Sequence, residues 1–186
     1  MLCRMSQVNH LLVDLDQMIL GIFANEGLPP DAYPWDAVQN GFQGLADALA
    51  KYADQNGAGD LSHARLLAEV LGKKMALRAQ LTAAYDKRDR AGLLAVAAGA
   101  VDAAELIDRL EQSWRRGWMR RNKPNGYEVL QLRLAQQAMR HRELARRVNE
   151  LLDGAVASIP ELDERPAHSH GIGGGWRFLA SGSVSI

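Results

Sequence analysis

The sequence predicts an all-α protein, a five-helix bundle with an irregular C-terminal extension. Three observations carry this. Apolar residues recur at three- and four-residue spacing through five separate segments. Loops rich in glycine, proline or charged residues separate those segments. Neither strand–helix alternation nor a repeat of fixed period runs through the chain. With 186 residues, 47% hydrophobic and 24% charged, it is long enough to bury a core without staples. Residues 1–158 are expected to form the bundle, and 159–186 a Pro/Gly-rich tail able to dock on it.

The first helix is expected over 6–23, where Val8, Leu11, Leu12, Leu15, Ile19, Ile22 and Phe23 share one face. Residues 25–34 hold Gly27, Pro29 and Pro30 and read as a loop. Pro34 suits the first turn of a second helix reaching about residue 53. Its apolar face is Trp35, Val38, Phe42, Leu45, Leu49 and Tyr52, while Gly41 and Gly44 are candidates for close approach to a neighbour. A third helix begins after 56–59, capped by Asp60 or Ser62, with the stripe Leu67, Val70, Leu71, Leu77, Leu81, Ala84 and Tyr85. Asp89 is positioned to cap the fourth, whose face is Leu93, Ala97, Ala100, Val101, Ala104, Ile107 and Leu110, continuing to Trp114 and Trp118. After a Lys123-Pro124-Asn125-Gly126 break, the fifth carries Leu130, Leu134, Ala138, Leu144, Val148, Leu151 and Leu152, and Gly154 is placed to end it. In the tail, Val184 and Ile186 alternate with serines, which fits either a short strand or an extended docked segment.

Net charge is zero but unevenly distributed. Residues 114–147 hold ten Lys or Arg and two acids, a local +8, leaving −8 elsewhere. Such a patch can steer anions or a partner surface. A single cysteine, Cys3, excludes an internal disulfide framework and multi-cysteine metal sites, and points to a reducing, cytoplasmic compartment. No apolar run reaches the roughly 18 residues of a membrane span, and the N-terminal stretch lacks a signal-peptide cleavage pattern.

The densest chemistry lies in 114–134, WRRGWMRRNKPNGYEVLQLRL. Trp114 and Trp118 stand four apart at a helix end, with Arg115, Arg116, Arg120, Arg121 and Lys123 around them. Tryptophan beside arginine can hold a planar ligand, a sugar face or a phosphate. The same spacing also fits tryptophans closing a core stripe and arginines solvating the outer face. The arginines of the fifth helix are spread around it, and no zinc motif accompanies them, which argues against nucleic acid. His168 and His170 lie in a Gly-rich tail with no frame to orient them as metal ligands. The run 171–176 places Trp176 where a dinucleotide fingerprint needs its third glycine. Asp163-Glu164 reads as a solvated acidic turn, and no nucleophile–base pair emerges.

The ordered set Trp118, Arg121, Asn122-Lys123-Pro124, Gly126, Glu128-Val129 and Arg133 resembles the C-terminal helical region of bacterial glycoside hydrolase family 20 enzymes, exo-acting β-N-acetylhexosaminidases. Residues 14–23 (DLDQMILGIF) resemble the segment just after the family's barrel, 84–94 its charged helix connection, and 159–164 (IPELDE) the stretch closing its last helix. The resemblance spans about residues 10–186. It implies substrate-assisted hydrolysis by an Asp-Glu pair on a (β/α)8 barrel, and 186 residues cannot hold such a barrel beside this bundle. Asp163-Glu164 does not match the barrel pair and inherits no role from it. The expectation is therefore a non-catalytic accessory domain without cofactor or metal, serving barrel packing, dimerisation or cleft shaping, from a truncated, split or separately encoded gene. Its partner is expected to be a catalytic barrel in cis or in trans, or a second copy. Trp114, Trp118, Arg121, Asn122, Lys123, Tyr127 and Glu128 are the expected contacts to substrate or neighbouring domain. The alternative is a stand-alone module binding an anionic or protein partner through its basic half.

Overall fold

The computed structural model describes residues 35–52 and 59–163. Among them the architecture is wholly helical: α1 (Trp35–Ala50), α2 (Gly59–Asp86), α3 (Arg90–Arg121), α4 (Tyr127–Leu152) and a single turn, α5 (Pro160–Asp163). The all-α class stands. Of the five long helices expected, four are described, and the first, at 6–23, lies outside the described residues. So do the 53–58 loop, most of the tail from 164 with His168 and His170, and the strand considered at its end. The four long helices belong to one unit, Trp35–Ala157. Turn α5 belongs to a second, where the amides of Leu162 and Asp163 donate to the Ile159 carbonyl at 2.9 and 3.2 Å.

Successive helices pack as neighbours, α1 on α2, α2 on α3 and α3 on α4. Because α2 lies between α1 and α3, it is buried on two sides. Leu66, Ala68 and Met75 are buried beside the expected Val70, Leu71, Leu77 and Leu81, whereas Leu67 is only half-buried. A one-face stripe therefore understates what this helix covers. Lys74 is fully buried as well, and its Nζ donates to Gln137 Oε1 on α4 at 3.2 Å. A polar link thus crosses the interior, as burial of an ammonium requires.

The face of α1 differs from expectation. Ala46 is its buried residue, while Leu45 and Tyr52 are exposed. The cause lies in the partner. Helix α1 crosses α2 at Gly72, where an added Cβ would be in ordinary contact, 3.6 Å from Phe42 Cβ and 3.7 Å from the Gln43 nitrogen. Contact centred on Phe42, Gln43 and Ala46 turns Leu45 outward. Gly41 and Gly44 play no such part, since no described atom lies within 4 Å of their Cβ positions.

The helix ends follow local chemistry. Asp89 caps α3 as expected, its Oδ1 accepting from the Ala91 amide at 3.0 Å. The α2–α3 connection is so tight that Arg88 takes a left-handed φ of 52°. At the end of α4, Gly154 adopts φ 75° and donates to the Leu151 carbonyl at 3.2 Å, and Ala155 donates to Glu150 at 2.8 Å. That pair of bonds is a Schellman motif. On α3, Val96 and Ala103 join the core, whereas Val101, assigned to the core stripe by spacing, is exposed.

Candidate functional site

The corner between α3 and α4 is built from the residues singled out in the sequence. Helix α3 ends as the Asn122 amide donates to the Trp118 carbonyl at 2.8 Å. The chain then reverses through Lys123 and Pro124 to Gly126, whose φ of 89° belongs to the left-handed region that glycine enters without penalty. Three bonds fix the reversal. Trp118 Nε1 donates to the Lys123 carbonyl at 2.8 Å, the Gly126 amide to Glu128 Oε2 at 2.8 Å, and the Tyr127 amide to the Pro124 carbonyl at 3.1 Å. The Trp118 and Tyr127 rings stand 6.0 Å apart, tilted by 47°, within the range of favourable aromatic pairs.

Tyr127 anchors this corner to α3. It is buried, and its hydroxyl donates to the Glu111 carboxylate and lies 3.2 Å from the Glu111 carbonyl. Gln131 Nε2 donates to the same carboxylate at 3.3 Å. Burial, followed by the bond to Glu111 and that group's negative charge, pushes the phenol well above its ordinary range.

A second cluster joins the end of α3 to the start of α2. Arg121 pairs with Asp60, and Arg120 approaches the same carboxylate at 3.7 Å. Asp60 therefore serves as an ion-pair partner in the first turn of α2; the cap role considered for it is not what its side chain does. The Arg121 hydrogen bond holds its carboxyl below the usual carboxylate range. His63, one turn further on, meets the Trp114 ring edge-on at 5.1 Å and 81° and lies 3.3 Å from Ser113 Oγ. Burial drives the His63 pKa below 6.5; Asp60 opposes that shift and Arg121 adds to it.

The expected contact residues thus fall into two groups. Trp118, Tyr127 and Glu128 brace the turn, and Trp114 and Arg121 tie it to α2. Asn122 and Lys123 have exposed side chains at its tip. Sequence reasoning missed Asp60, His63, Glu111, Ser113 and Gln131. The only available signal was an acid near one helix start and arginines at the end of the next, which antiparallel packing brings together. The basic segment is also less bare than its count suggests, because Arg142 pairs with Asp108, Arg146 with Glu143 and Arg147 with Glu150. Among the described residues no group of three or more His, Cys, Asp or Glu is placed to hold a metal ion. No described helix is long and apolar enough to cross a membrane.

Comparison with known proteins bears on the meaning of this corner. No curated protein matches the chain. A model of the Glycoside Hydrolase 20C C-terminal domain matches residues 16–171, which takes in all four long helices and the whole corner. The match extends over most of the 186 residues, and the chain belongs to the Glycoside Hydrolase 20C C-terminal domain family.

Proposed function

We propose that this chain is a non-catalytic accessory domain of a β-N-acetylhexosaminidase-like glycoside hydrolase. It packs against a (β/α)8 catalytic barrel, supplied in cis or in trans, and shapes the wall of that barrel's substrate cleft. The family match carries the reading. The corner supports it, because Trp118, Tyr127 and Glu128 spend their hydrogen-bonding groups on bracing a turn, leaving the exposed Asn122 and Lys123 at a rigid tip. A tip held in this way loses little conformational entropy on docking. Hydrolysis of terminal N-acetylhexosamine residues then belongs to the barrel, and the accessory domain contributes position.

Two measurements test this. The purified chain should not turn over an aryl N-acetyl-β-glucosaminide, and robust release of the aryl group would end the proposal. Titrated calorimetrically into a catalytic barrel of the same family, the chain should bind, and Lys123→Glu with Asn122→Asp should weaken binding. Unchanged affinity would remove the tip from the contact.

A further inference from the structure

We infer that the C-terminal part of α3 carries a basic ridge that binds a short acidic segment of a partner protein, its carboxylates held by the guanidinium groups of Arg109, Arg115, Arg116 and Arg120. Arg109 and Arg116 are seven apart and Arg116 and Arg120 four, so they share one face of α3. Gln112 and Met119 lie between them on that face, and Arg115, one turn after Glu111, stands at its α4 edge. All six residues are exposed. Among the described residues Arg109, Arg115 and Arg116 make no ion pair, and Arg120 approaches, at 3.7 Å, a carboxylate of Asp60 that Arg121 already holds.

The rest of the basic segment is disposed differently. Arg142, Arg146 and Arg147 are paired with acids. Arg133 and Arg140 each lie two residues from a side chain that reaches α3, Gln131 and Arg142, and so are turned about 160° away from it. The fold does not account for the ridge either. The helix dipole favours cations in the last turn, which holds Arg120 and Arg121. Arg109, Arg115 and Arg116 precede that turn, and Arg116 repels Arg120 across one turn of helix. The acids beside the ridge are engaged elsewhere: Asp108 with Arg142, Glu111 with Tyr127 and Gln131, and Glu128 with the Gly126 amide.

Guanidinium groups on one face with no acid among them select an anion, and the planar fork of arginine matches a carboxylate bidentately. Length selects the kind of partner. From Arg109 to Arg120 the ridge rises about 16 Å, and the exposed Glu105, one turn before Arg109, closes it with the opposite charge. A nucleic-acid strand carries charge continuously along its length and would run on over Glu105. A peptide segment with a few carboxylates ends where the ridge ends. Met119, 37% exposed within the ridge, offers an apolar contact for a peptide side chain. On a partner helix, glutamates at alternating spacings of three and four would face these arginines along one side. A contact of this length is small and its complex transient. The ridge excludes Asn122 and Lys123, so its failure would leave the barrel-docking reading untouched.

The test uses the full chain and a fluorescein-labelled, alanine-based helical peptide with its glutamates on one face, read by fluorescence anisotropy. A Kd of about 10–100 µM is expected at low salt, rising with ionic strength. A peptide of the same composition with glutamates on all sides should bind at least about fivefold more weakly. Arg109→Glu with Arg116→Glu should weaken binding at least about tenfold with helical circular dichroism intact. Should that pair disturb folding, Arg109→Gln with Arg116→Gln should weaken it in the same direction. Lys123→Glu with Asn122→Asp, a similar change in charge outside the ridge, should weaken it less than the glutamate pair does. Oligothymidylate and phosphatidylserine-containing vesicles should bind no more tightly than the one-faced peptide. Absence of binding below about 1 mM, equal affinity for the two peptides, indifference to salt or to the Arg109 and Arg116 substitutions, a larger loss from the tip pair, or a preference for oligothymidylate or vesicles would each overturn the inference.

Discussion

Replacing Tyr127 with phenylalanine removes one oxygen from the corner and leaves the ring beside Trp118 in place. The lost hydroxyl donates to the Glu111 carboxylate and lies 3.2 Å from the Glu111 carbonyl, in a residue only 4% exposed. A hydrogen bond to a charged group contributes about 1.5–3 kcal/mol. Here Gln131 still donates to the carboxylate at 3.3 Å, so the acceptor keeps a partner. The net loss should be about 1–2 kcal/mol. For a domain of this size each kcal/mol shifts Tm by about 2–4 °C, giving a fall of roughly 2–8 °C by calorimetry. The pH dependence gives a second, sharper reading. The folded phenol is raised above its ordinary value of 10.0, so the unfolded chain loses the proton first as pH rises. The stabilisation is complete below pH 10 and is lost above it, as pH climbs toward the folded pKa. The Tm gap between wild type and Tyr127→Phe should therefore narrow above about pH 10. An unchanged Tm at neutral pH, or a gap that widens in alkali, would refute the argument that this bond anchors α4 to α3.

Three further outcomes follow from the same geometry. Gly126→Ala places a Cβ at φ 89°, where the contact to Trp118 at 3.7 Å is ordinary but the backbone is not; a loss of about 1–2 kcal/mol in urea unfolding is expected. Gly92→Ala would improve helix propensity by about 1 kcal/mol. Its Cβ, however, would stand 2.9 Å from Ala84 Cβ and 2.7 Å from the capping Asp89 Oδ2, so a net destabilisation of about 1–3 kcal/mol should appear in the same measurement. His63, whose folded pKa lies below 6.5, takes up its proton later than the unfolded chain does. Stability from this residue is present above pH 6.5 and lost as pH falls through the lowered folded value. His63→Phe should flatten that part of the Tm–pH curve, and an unaltered slope would show that His63 is not the titrating group.

The elements were legible in the sequence wherever their signals are local. Asp89 announced the start of α3, the Lys-Pro-Asn-Gly break its end, and Gly154 the close of α4, because caps and turns are satisfied by atoms within a few residues. Faces were read less well. Val101 and Leu45 fit a helical stripe but point to solvent, and Lys74 does not fit one yet is buried. Periodicity reports which residues of a helix can share a side, whereas the number and direction of its neighbours decide which side is covered. Helix α2, packed against both α1 and α3, has no single buried face to find.

The corner divides in the same way. The sequence by itself determined the fold class, the four described long helices, the position of the turn and the tryptophan–arginine cluster beside it. Each of these rests on spacing, on glycine and proline conformations, or on residues adjacent in the chain. Only the tertiary structure decided what those side chains do. The Arg121–Asp60 pair joins residues 61 apart in sequence, His63 and Ser113 are 50 apart, and Tyr127 and Glu111 are 16 apart. No local pattern encodes such partners. They meet because α2, α3 and α4 pack antiparallel at particular heights, set by the volumes of buried side chains.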